Sequence, residues 1–159
     1  MGRTRSLFVV AVVALLQLAC VSTPDVREVM GPCARARLAR EFPTKPTFSG
    51  CYGVVEGPRE LQRAQIVLLT DVAEDVLADE PPRYRLATLQ PFVTPSTPSW
   101  EQLSSTQVRL LWMNGSTGVE MCLQADRERL KGQVVVVTDY APFLLVAGPV
   151  ILTPQPCPR

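Results

Sequence analysis

Five cysteines, Cys20, Cys33, Cys51, Cys122 and Cys157, are the residues of this 159-residue chain best equipped for chemistry. Thiols cross-link, ligate metals or attack electrophiles, and spacing decides among these roles. None of the five stands in a CxxC pair, so neither a zinc ribbon nor a thioredoxin-like redox motif is indicated. The chain has no histidine. Ser-His-Asp and Cys-His arrangements are therefore impossible, as are histidine-containing zinc sites. The nine glycines are dispersed and form no phosphate loop. Carboxylates gather in "DVAEDVLADE" (Asp71, Glu74, Asp75, Asp79, Glu80), but the Asp/Asn alternation and central Gly of a calcium loop are missing. That stretch reads as a solvated acidic connection between strands, and its spacing does not argue for a paired-carboxylate hydrolase. The expectation is a protein that is not an enzyme, with no metal and no cofactor.

An odd number of cysteines in a secreted protein leaves one thiol with a separate fate. The first twenty residues point to Cys20. Arg3 and Arg5 precede an apolar run from Leu7 to Leu16, and Leu18-Ala19 leads into Cys20. Charge, short apolar core and small residue, in that order, make a secretory signal peptide. A membrane-spanning helix needs about 20 apolar residues, and Gln17 interrupts this run. Leu-Gln-Leu-Ala-Cys resembles the bacterial lipobox, with Gln17 where the family usually carries Leu, Val or Ile. The resemblance implies that Cys20 is lipidated and becomes the first residue, and two or more acyl chains suffice for stable anchoring. Val21 after that cysteine, rather than Asp, implies the outer membrane of the bacterial envelope. Without Cys20 four cysteines remain, enough for two disulfides in an oxidising compartment.

Arg3 and Arg5 precede Cys20 while all 15 acidic residues follow it, so residues 20–159 carry one net negative charge. Scattered arginines on a near-neutral chain leave no footprint for nucleic acid. Arg35, Arg37 and Arg40 are the densest basic group, read as a solvated helix face with anionic headgroups as the other option.

The expected organisation is a signal peptide over 1–19, a lipidated tether over 20–31, a short helix over 32–42 and a single β domain over 48–157. Pro32 suits a first helical turn, and Ala34, Leu38 and Phe42 recur at four-residue spacing. From Phe48 the period changes to two. Strands are expected at 49–57, 64–71, 83–89, 106–113, 119–126, 133–139 and 147–154. A Pro/Ser/Thr-rich stretch, 90–105, is expected to be a long loop or lid carrying Phe92 and Trp100. Asn114-Gly115 starts a hairpin turn. Short connections between so many strands predict an all-β fold, an antiparallel meander closing into a barrel of about seven or eight strands, with a β-sandwich as the competing architecture. With Tyr52 and Val54 inward, Cys51 faces out; with Val119, Met121 and Leu123 inward, so does Cys122. Each is then placed to catch a terminal cysteine, Cys33 or Cys157, although four cysteines allow three connectivities.

Gly50-Cys51-Tyr52 resembles the Gly-x-Trp start of lipocalins, with Tyr in place of Trp and without the helix that follows the barrel in that family. The organisation also resembles that of small bacterial lipoproteins. The lipocalin resemblance implies an up-and-down barrel holding a small apolar ligand or lipid. Its lining would be Tyr52, Ile66, Leu68, Tyr84, Leu86, Val108, Leu110, Trp112, Met121 and Leu123, with Trp100 in the covering loop. The alternative is a structural or partner-binding lipoprotein whose filled barrel holds an envelope protein near the membrane, with Phe92 and Trp100 as contact residues. In both readings the membrane is engaged through the lipid anchor.

Overall fold

The computed structural model describes residues 33–36, 42–43, 45–62, 66–74, 80–88, 97–115, 117–138 and 144–158. The expected signal peptide and tether with Cys20, residues 37–41 of the expected helix, Asp75 and Asp79, and Phe92 all lie outside the described residues. A helical turn, α1, covers 33–36. The strands are β1 (Gly50–Glu56), β2 (Ile66–Ala73), β3 (Arg83–Thr88), β4 (Thr97–Gln102), β5 (Gln107–Asn114), β6 (Thr117–Asp126), β7 (Arg129–Val137) and β8 (Leu144–Gln155), with a second helical turn, α2 (Arg59–Gln62), between β1 and β2. Each strand pairs antiparallel with the next, and β8 returns to β1, so the sheet is a closed eight-stranded barrel and not a sandwich.

Alternation explains most of the barrel. In β3, Tyr84 and Leu86 are buried while Arg85 and Ala87 are exposed. In β5, Val108, Leu110 and Trp112 are completely buried. Period-two apolar residues put one face on a core, which is what a closed antiparallel sheet requires. The inward residues meet in register: Tyr84 opposes Trp100, Trp100 opposes Leu110, Leu110 opposes Met121 and Met121 opposes Val134. Burying each of the larger apolar side chains contributes about 1.5–3 kcal/mol. The Tyr84 and Trp100 rings stack at a 32° tilt with centroids 4.8 Å apart. The indole Nε1 of Trp100 donates to the Thr70 carbonyl at 2.9 Å, so this buried polar group has its partner.

Three expectations need correction. The stretch 90–105 is not a continuous loop: Thr97–Gln102 is β4, and Trp100 is fully buried in the core instead of covering a mouth. Pro98 and Ser99 disguise this strand. Proline is tolerated because β4 bonds β3 only from Ser99 to Glu101, leaving Pro98 paired with β5 alone, in effect an edge position. β7 starts at Arg129, four residues before the expected 133, because a tight hairpin pairs Asp126 with Arg129. In β2 the inward residues are Val67 and Leu69, and Leu68 lies half-buried on the outer face. Ile66-Val67-Leu68-Leu69 is apolar throughout, so face is set by register, with Val67 opposite Tyr52 and Leu69 opposite Leu86.

The outward cysteines pin both flanks of the barrel. Cys33 is bonded to Cys122 and Cys51 to Cys157. The first bond lays α1 against the wall, where Ala36 and Phe42 pack on a small cluster of Cys33, Leu103 and Cys122. Among the described residues, no helix is long and apolar enough to cross a membrane.

Candidate functional site

The two ends of the barrel differ. At the end where β1 finishes and β2 begins, Leu61 of α2 turns into the core and is almost completely buried. At the other end β1 begins, β8 finishes, and β6 and β7 meet in their hairpin. A cleft of ≈ 480 Å³ opens there, with Phe48, Tyr52, Ala125, Leu130 and Pro154 supplying its apolar surface. Arg127, Glu128 and Arg129 of the hairpin form its rim.

Local sequence builds each wall. Gln102, buried at the end of β4, accepts from the Thr47 backbone N–H at 2.7 Å. Its Nε2 donates to Thr47 Oγ1 at 2.9 Å and to the Ser104 carbonyl at 3.1 Å. A buried amide satisfied this fully acts as a latch, and it holds the chain so that the next residue, Phe48, borders the cleft. Across from it, the hairpin turns on Arg127, whose φ is 57°. A positive φ at the first central residue alone is the pattern of a II′ turn, where glycine is the unstrained choice.

The residues expected to hold a ligand are split between two environments. Tyr84, Trp100, Leu110, Trp112 and Met121 lie in the closed core, Leu68 lies on the outer wall, and Tyr52 borders the open cleft. Burial pushes the phenols of Tyr52 and Tyr84 above their ordinary value, so both remain hydrogen-bond donors at neutral pH. Phe48, Ala125, Leu130 and the hairpin arginines were not expected at a site. They are far apart in sequence, and only the barrel's stagger gathers them. Asp126 is engaged by Lys131, which holds its carboxyl below the usual range.

A second constellation crosses the outer wall. Arg83, Glu101, Arg109 and Glu120 sit on β3, β4, β5 and β6, alternating in charge. Arg83 Nη2 reaches Glu101 Oε1 at 3.3 Å, and Arg109 Nη1 reaches Glu101 Oε2 at 3.3 Å. Arg109 also donates through Nε and Nη2 to both oxygens of Glu120, at 2.5 and 2.6 Å. Burial opposes the charge on Arg109, but the Glu120 carboxylate, with help from Glu101, raises its pKa above the ordinary value. Such bidentate pairs are structural fasteners. Among the described residues, no group of three or more His, Cys, Asp and Glu side chains is placed to hold a metal ion.

The fold and site together define a small closed antiparallel barrel with a packed interior and a cleft at one mouth. Comparison with protein-family models, with curated proteins and with solved structures finds no match to the chain.

Proposed function

We propose that this is a lipoprotein of the bacterial envelope, anchored through Cys20 to the outer membrane, in which the barrel is a rigid module that holds a protein partner near the membrane. The observation that carries the module reading is the filled interior. Trp100, Trp112, Leu110 and Met121 are all fully buried, with Leu110 opposite both Trp100 and Met121. An eight-stranded barrel is just wide enough to be filled by its own side chains, and buried side chains of this size favour a filled module over a container. The two disulfides favour an oxidising compartment, in keeping with export. Partner binding needs neither a catalytic step nor a cofactor.

The test is fractionation of cells fed an alkyne-tagged fatty acid, followed by formaldehyde cross-linking. The wild-type chain is expected to take up the label, sediment with outer membranes and cross-link to an envelope protein. Cys20→Ala is expected to lose the label and the sedimentation. Equal behaviour of the two proteins would overturn the anchor, and an anchored chain that cross-links to nothing would overturn the partner.

A further inference from the structure

The mouth cleft combines features that the packed module does not use. Its floor is apolar, and its volume of ≈ 480 Å³ lies within the range of about 300–1,000 Å³ usual for small-molecule sites. Its rim carries two arginines against one glutamate. Asp126, the other nearby acid, is paired with Lys131 and also feels the charge of Arg129. Among the described residues, Arg127 and Arg129 form no salt bridge and Tyr52 Oη makes no hydrogen bond. The hairpin also keeps a non-glycine residue, Arg127, in the left-handed region, where an L side chain is held at a cost. Strain of this kind gathers where a side chain has a task.

We propose that this cleft binds a single-chain amphipathic anion, a long-chain carboxylate, with its chain against Phe48, Tyr52 and Leu130 and its head between Arg127 and Arg129. Arginine presents a planar fork of donors that matches a carboxylate's two oxygens. Both guanidinium groups are exposed, so binding one anion does not require burying an unpaired charge. The hydrocarbon chain is removed from water by the floor, which supplies the non-directional part of the affinity. The Tyr52 phenol is a spare donor toward the ligand. Glu128 opposes the head group, so its neutralisation strengthens binding. The proposal stands whether or not Cys20 is lipidated.

The experiment is calorimetric titration of the purified, disulfide-bonded protein with dodecanoate, dodecylammonium and dodecanol, each kept below micelle formation. Dodecanoate is expected to bind one per chain, at least tenfold more tightly than dodecylammonium. The double variant Arg127→Glu/Arg129→Glu is expected to lose tenfold or more for dodecanoate and nothing for dodecanol. Glu128→Gln is expected to tighten dodecanoate severalfold. Because the altered side chains are exposed, these variants should keep the buried-tryptophan fluorescence of the wild type, which verifies the fold. Absence of dodecanoate binding, equal binding of the cationic analogue, or indifference to the arginine changes would each overturn the proposal. Binding of the Cys20→Ala protein to phosphatidylglycerol vesicles that excess dodecanoate fails to displace would also overturn it, by identifying the rim as a headgroup surface.

Discussion

Glu101 and Arg109 face each other across the β4–β5 ladder on the outside of the barrel, Oε2 to Nη1 at 3.3 Å, with the Glu101 side chain 0% exposed. An outward carboxylate shielded from solvent gains little from water, and Arg83 and Arg109 are among the partners that stabilise its charge. The two partners are not equivalent. Glu101→Gln leaves Arg109 still chelated by Glu120, and a lost charge-assisted bond of this kind costs about 1.5–3 kcal/mol. Arg109→Met leaves Glu120 and one side of Glu101 uncompensated, and a broken buried pair costs about 3–5 kcal/mol. Urea unfolding midpoints should rank Arg109→Met below Glu101→Gln, and the reverse ranking would refute this account of the ladder.

The disulfides should matter comparably, and each should matter less while the other is intact. Cys33–Cys122 spans 89 residues and Cys51–Cys157 spans 106. The chain-entropy relation assigns each loop about 4.5–5 kcal/mol as an upper figure. The spans overlap, so either bond shortens the loop that the other must close. Paired Cys→Ser replacement of each bond, and of both, followed by thermal unfolding, tests this. A double loss equal to or smaller than the sum of the two single losses would contradict the shared-loop argument.

Trp100→Ala and Leu68→Ala separate the inner from the outer wall. Trp100 is wholly buried in the core, and truncating such a residue costs about 3–5 kcal/mol. Leu68 lies half-buried outside, and the cost there should stay near about 1 kcal/mol, since only part of its surface is removed from water. Similar losses at both positions would mean that the register of β2 is different.

The tyrosines predict weakening at alkaline pH. Burial raises the Tyr52 and Tyr84 phenols above the value of the unfolded chain. A group whose folded pKa is raised contributes its stability in full below the unfolded pKa, about 10, and loses it as pH rises through the folded value. Absorbance titration at 295 nm should show these two phenols ionising later in the folded protein than in urea. Stability should decline over the same pH interval. Coincident titration curves in the two states would rule this out.

How far the sequence could be read follows from what each segment exposes to inspection. Tyr84 and Leu86, or Val108, Leu110 and Trp112, alternate with polar neighbours, so face and strand are legible together. The parity of Cys51 beside Tyr52, and of Cys122 beside Met121, likewise identifies outward thiols. β4 was hidden because Pro98 and Ser99 carry turn chemistry, and the tertiary pairing to β5 overrides it. β2 concealed its face because a uniformly apolar run has no period. The cleft was beyond reach for a different reason. Phe48, Ala125, Leu130 and Pro154 become neighbours only through strand stagger, which no local pattern encodes. The same holds for the Arg83–Glu120 ladder, whose four members lie on four strands.

The pairing of β8 with β1 also limits how another protein can attach. Sheets with a free border recruit partners by adding a strand, using the unpaired N–H and C=O groups along that border. This cylinder has consumed both borders on itself. Recognition therefore passes through side chains on the wall, the hairpins or the mouths, and not through backbone zippering. The same closure withholds a template for runaway stacking between copies, which would matter most for a molecule crowded onto a two-dimensional surface, as the proposed anchor at Cys20 would make it.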